Sequence, residues 1–224
     1  MPDHSDKKII DSWNKNAKPW TDAVRNGEIS SRVDVTNDAV IQAILDQRTT
    51  KVIDIGCGEG WLVRTLVEKG IDGLGIDVVP ELIGKAEVEG IGQYRVLSYE
   101  DLSFKTLGER FETAVCNFSL IGKESVEHVF RQMPLILMPG GKLIIQTLNP
   151  ANVEDNEMEG WRDGSWDGFS DRFTDPAPWY FRGIESWKAL FFANGFESVE
   201  MREPHLPDSK VPASLILIGT CTLD

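Results

Sequence analysis

From Val52 onward the chain repeats one unit: a short β-branched run, a turn, then a helical pattern. "KVIDIG" reads as a buried strand, and "GWLVRTLVEKG" follows with Leu62, Leu66 and Val67 at helical spacing and Gly70 as a C-cap. "GLGIDVV" is a second strand, and "PELIGKAEVEG" a second helix with Pro80 at its start. "YRVLSY", "FETAVCNFS" and "KLIIQTL" supply three more strands, with the helix "ESVEHVFRQMPLIL" before the last of them. This alternation predicts an α/β fold with a parallel sheet covered on both faces. The helix "IESWKALFFANGF" and two strands, "FESVEMRE" and "ASLILIGTC", finish the chain, and their polar connection predicts a hairpin with the final strand antiparallel.

Two stretches depart from the rhythm. The first fifty residues carry helical patterns only, "SDKKIIDSWNKNAKPW" and "TNDAVIQAILDQ", the second capped by Thr36 or Asn37. Residues 149–183 are too polar and too rich in Gly and Pro for regular elements, and a loop of that length is usually functional. Its aromatics, Trp166, Trp179 and Tyr180 among them, either form a lid over an apolar ligand or pin the loop to the core.

Composition removes several classes of function. A net charge of −13 with no Lys/Arg-rich run argues against nucleic acid and for a small-molecule substrate. No apolar run reaches the ~18 residues that cross a bilayer, and the N-terminus has no secretory core, so no membrane role and a cytoplasmic location are expected. Cys57, Cys116 and Cys221 are scattered without CxxC spacing, which reads as core thiols rather than disulfides or a zinc site.

The loop "VIDIGCGEG" narrows the ligand. A dinucleotide fingerprint needs a small residue where Trp61 stands, and a P-loop needs a Lys-Ser or Lys-Thr that is absent. Glycines 56, 58 and 60 let a ligand approach the backbone closely, with Asp54 placed to fix the turn. Asp77, at the end of the second strand, is placed to accept from ribose hydroxyls or to cap the helix at Pro80. A glycine turn with no ligand is the remaining alternative.

With these residues in view, the loop resembles motif I of the class I S-adenosylmethionine-dependent methyltransferases, D-x-G-x-G-x-G. "SYEDLSF" resembles the family's adenine-lining segment with Ser98 in place of its usual acid, "FETAVCNFSLIG" its fourth-strand motif and "LMPGGKLII" its Pro-Gly-Gly turn. The resemblance implies a Rossmann-like, doubly wound sheet of seven strands in the order 3-2-1-4-5-7-6. It divides the chain into a helical cap at residues 1–35 and a cofactor-binding domain at residues 36–224, with residues 149–183 as the variable substrate or lid segment. It implies a cofactor, S-adenosylmethionine, and a product, S-adenosylhomocysteine. The cofactor contacts it implies are Asp54, Gly56, Cys57, Gly58, Gly60 and Trp61 of the loop; Asp77 and Val78; Tyr99 and Glu100; and Asn117 and Phe118. Trp20 and Arg32 from the cap complete the set, Arg32 matching the methionine carboxylate.

The expected reaction is methyl transfer by in-line displacement to a small-molecule acceptor. Asn117 stands where metal-dependent relatives carry an acid, so no metal is expected, and no Pro-Pro or Pro-Cys motif of the nucleic-acid enzymes is present. No motif names a catalytic residue; His205, just past the sixth strand, is the candidate base. Trp166, Trp179 and Tyr180 are the candidate substrate contacts. A non-catalytic binding protein of the same fold and a nicotinamide-dependent oxidoreductase are the competing readings. A monomer or a homodimer is expected.

Overall fold

The computed structural model describes residues 4–206 and 208–222; Met1–Asp3 of the expected cap, and Pro207, Leu223 and Asp224 of the expected domain, lie outside them. The chain opens with helix α1 (Asp6–Arg25) and a π-helical turn (Arg32–Thr36) that runs directly into α2 (Asn37–Leu45). Then follow β1 (Lys51–Ile55), α3 (Trp61–Glu68), β2 (Asp72–Asp77), α4 (Pro80–Val88), β3 (Gln93–Val96), the short α5 (Phe104–Leu107), β4 (Phe111–Asn117), α6 (Glu124–Ile136) and β5 (Leu137–Thr147). The remaining elements are β6 (Gly160–Arg162), β7 (Trp179–Phe181), α7 (Ile184–Ala193), β8 (Phe196–Arg202) and β9 (Leu215–Cys221).

Seven strands form one sheet in the order β3-β2-β1-β4-β5-β9-β8, with β9 antiparallel to both neighbours. Because β6 and β7 stand outside this sheet, the order is the expected 3-2-1-4-5-7-6. Alternation along the central strands assigns the two faces. Ile53, Ile55, Ala114, Cys116, Leu143, Ile145, Leu215 and Leu217 meet α6 and α7 through Phe130, Met133, Trp187 and Phe191. Val52, Val115, Ile144, Ile216 and Ile218 meet α2 and α3 through Val40, Ile44, Leu62 and Leu66. All three cysteines are buried free thiols.

Two local expectations need correction. Thr36 does not cap α2: it has helical backbone angles, and no side-chain cap bond is made, because the π turn continues into the helix. The division expected at residue 35 therefore falls inside one continuous helical run. The segment 149–183 does contain regular structure. Its ends pair as the antiparallel ribbon β6–β7, where Trp161 opposes Tyr180 edge to face at 5.7 Å. Cross-strand aromatic pairs of this kind hold short ribbons that polar composition conceals.

Among the described residues no helix is long and apolar enough to cross a membrane.

Candidate active site

The site forms at the carboxyl ends of β1, β2 and β4, where the sheet order reverses between β1 and β4. Gly56 has φ +79°, and a Cβ there would collide with Ser119 and the Tyr99 hydroxyl. Only glycine brings the loop this close to β4. Ser119 Oγ donates to the Ile55 carbonyl at 2.6 Å, and the amides of Gly56 and Cys57 donate to the Ile76 carbonyl at 2.8 and 3.0 Å. At Gly60 a Cβ would lie 2.7 Å from Tyr94 Cε1 and 2.8 Å from Ala86 Cβ. The tight packing that a dinucleotide loop assigns to its third small residue is thus made by Gly60, one position before Trp61.

Asp77 serves the loop and the next helix together. Its Oδ2 accepts from the Gly58 amide and its Oδ1 from the Val79 amide, each at 2.9 Å. Neither bond caps α4, whose N-cap is Val79 and carries no side-chain cap bond, and Asp77 lines the cavity beside the loop. Burial raises its pKa against the pull of those amides. Asp54 is buried behind the loop, and its Oδ1 has no hydrogen-bond partner. Burial, then the negative Asp77, push the Asp54 carboxyl up to about 8, with Arg32 opposing.

Glu59, inside the glycine loop, was not anticipated from sequence. Its side chain is 0% exposed and is held by Arg64 Nη2 at 2.8 Å and Arg25 Nε at 2.8 Å. Arg25 belongs to α1, so this bridge ties the N-terminal helix to the loop. Nothing in the local sequence marks a partner 34 residues away.

The π turn places Arg32 between two indoles. Its guanidinium carbon lies 5.5 Å from the Trp20 centroid and 5.2 Å from that of Trp61. Among the described residues no carboxylate pairs with it; its Nε reaches only Asn37 Oδ1, at 3.4 Å. Burial lowers its pKa to about 10.

Two cavities open around these groups. The first is lined by every expected cofactor contact except Asp54 and Gly60. Trp13 of α1, an aromatic of the helix expected to cover the cofactor, also lines it, as do Asp6 and Ile9, to which sequence patterning gave no mark. Asn117 stands at the end of β4 with a buried Oδ1 that lacks a partner. The second cavity, about 290 Å³, is lined by Trp166, Trp179 and Tyr180, the three candidate substrate contacts, and by Phe181, Arg182 and Trp187. The two share Trp13, Trp20, Phe118 and Ile121. Phe118 adopts φ +53°, a strained angle for a bulky residue, at that shared wall.

The structure does not bring His205 to this site. It is exposed, its Nδ1 lies 3.2 Å from the Ser209 carbonyl, and it lines neither cavity. The strand end predicted to carry it to the cofactor edge instead turns into a bridge with Pro212. Among the described residues no group of three His, Cys, Asp or Glu side chains is arranged to hold a metal ion.

Residues 29–201 match a family model described as methyltransferase domain. The chain belongs to the methyltransferase domain family. A ubiquinone biosynthesis O-methyltransferase of Xanthomonas oryzae pv. oryzae is 34% identical over 114 residues, covering 49% of this chain and 47% of that protein. The chain thus spans about half the length of the curated relatives it matches. Among solved structures, an S-adenosylmethionine-dependent methyltransferase from Mesorhizobium loti aligns with a TM-score of 0.65 at 21% identity, covering 81% of this chain and 96% of that one. Magnesium protoporphyrin IX methyltransferase from Synechocystis PCC 6803, with S-adenosylmethionine bound, aligns with a TM-score of 0.62 at 16% identity, covering 99% and 100%. At these identities the structures establish the fold. The seven-stranded sheet with its antiparallel β9 is the one this methyltransferase domain shares with them.

Proposed function

We propose that the protein transfers a methyl group from S-adenosylmethionine to a small-molecule acceptor. The observation that carries this reading is the pair of cavities with one shared wall: one beside a glycine loop and two carboxylates, the other aromatic. The residues fit the cofactor. Gly56 and Gly58 line the cavity, and among the described residues Arg32 is ion-paired to no acid and the buried Asn117 Oδ1 lacks a donor. In this reading Arg32 holds the carboxylate, Asn117 and Asp54 favour the ammonium, and Asp77 accepts from the ribose. Tyr99 and Glu100 border the adenine.

When bound, S-adenosylmethionine supplies a methyl group already activated by its sulfonium. The chain then has to align an acceptor and exclude water. Trp13, Trp20 and Phe118 stand between the two cavities and are placed to do both. The absence of an acid at Asn117 supports metal-free chemistry. Buried free thiols suit a reducing compartment, which supports the cytoplasm. The relatives are named for O-methylation in ubiquinone biosynthesis, so oxygen acceptors come first in a screen.

Incubation with methyl-labelled S-adenosylmethionine and a small-molecule extract tests the reading. Label should appear in an organic product, and S-adenosylhomocysteine should accumulate with it. Label recovered only in the donor would count against catalysis.

A further inference from the structure

The second cavity carries a charge pattern that methyl transfer alone does not explain. Among the described residues its lining has no Asp, Glu, His, Cys or Lys, and its single ionised side chain is Arg182. In a chain of net charge −13, that cationic lining has no trivial origin. Arg182 is only 5% exposed. Nη1 donates to the Gly122 carbonyl at 2.8 Å and Nη2 to the Lys123 carbonyl at 3.1 Å. The guanidinium lies 4.7 Å from the Tyr180 centroid and 5.2 Å from that of Trp187. Two neutral carbonyls and two rings position the group without neutralising it. Among the described residues no carboxylate lies within ion-pair distance, although a guanidinium offers five N–H donors. Glu127, Glu159 and Asp6 act on the group only from beyond ion-pair distance, and a buried cation with no carboxylate in contact is costly to a fold, a cost that a binding site is a place to keep.

We propose that Arg182 selects an anionic acceptor, a planar aromatic carboxylate whose charge pairs with the guanidinium while its ring packs among Trp166, Trp179 and Trp187. The fork of Arg182 matches a carboxylate in shape as well as charge, and burial strengthens the pair. Burial also holds the Arg182 pKa below its ordinary value, so an arriving anion restores what desolvation removes. The proposal rests on the methyltransferase reading only in treating this cavity as the acceptor side.

The test uses the full chain saturated with S-adenosylhomocysteine, with 2-naphthoate and its neutral amide as probes read by quenching of cavity tryptophans. The wild type should bind the naphthoate at least about tenfold more tightly than the amide, a difference of ~1.4 kcal/mol. Arg182→Gln should abolish the preference and leave S-adenosylhomocysteine affinity unchanged, and Arg182→Lys should restore part of it. Equal binding of the two probes by the wild type, no binding of naphthoate, or a preference that survives in Arg182→Gln would overturn the proposal. The wild-type comparison stands even if the variants fail to fold. Failure of S-adenosylhomocysteine to bind the wild type would instead remove the cofactor reading, and the same two probes without it would still report the anion preference.

Discussion

Asp54 and Arg32 show how single side chains hold unfavourable states that a ligand can relieve. Arg32 is a half-buried cation flanked by rings, and Asp54 is a buried carboxyl at a pKa of about 8. An unfolded Asp titrates near 3.9, so between about pH 4 and about pH 8 the folded chain binds a proton there that the unfolded chain does not. Stability from this group is therefore greatest at low pH and is lost as pH rises through the folded pKa. Asn at position 54 cannot titrate. The stability difference between Asp54→Asn and wild type, from urea unfolding without ligand, should shift in favour of the variant from about pH 5 to about pH 8. A difference that stays flat with pH would show that Asp54 is not held protonated.

Helix α1 is the element on which the site depends most. Its Ala17 packs on Val79 and Leu82 of the α4 region, and its Arg25 reaches Glu59 in the loop. Asn16 exchanges hydrogen bonds with Thr174, at 2.7 and 2.9 Å, Lys8 and Lys15 pair with Asp175, and Arg172 pairs with Asp22. One helix thus carries the aromatic segment on one side and covers the cofactor cavity on the other. Removing residues 1–28 should leave the sheet folded by circular dichroism and weaken S-adenosylhomocysteine binding at least about tenfold, or ~1.4 kcal/mol. Undiminished affinity would mean that α1 is packing alone. The sequence announced this helix through its apolar spacing, and Trp20 and Arg32 through their residue types. It did not announce Glu59, Asp6 or Arg182, because the partners that tie them across the fold, Arg25, the Lys123 and Ser125 amides, and the Gly122 and Lys123 carbonyls, lie far along the chain. The ribbon β6–β7 was hidden for a related reason: three-residue strands leave too few repeats for alternation to register.

Across the molecule, the alternation of strands and helices was legible because β1, β2 and β5 are short apolar runs closed by Gly or Pro, and the strand order followed from the family resemblance of the loop and the later motifs. The site's location followed from that order. The choice of acceptor did not, since the segment proposed to set it, residues 149–183, obeys no period. His205 failed for the same reason: its position past a strand end was readable, and the path of the connection after it was not. The central proposal is one cavity that would hold S-adenosylhomocysteine through Arg32 and the glycine loop. Isothermal titration is the direct measurement, comparing S-adenosylhomocysteine with NAD on the wild type and on Arg32→Gln. The account predicts one-to-one binding of S-adenosylhomocysteine, no binding of NAD, and a loss of about 1.5–3 kcal/mol in the variant, as expected for a removed charged hydrogen-bond donor. Binding of NAD in place of S-adenosylhomocysteine, or full affinity in Arg32→Gln, would contradict it.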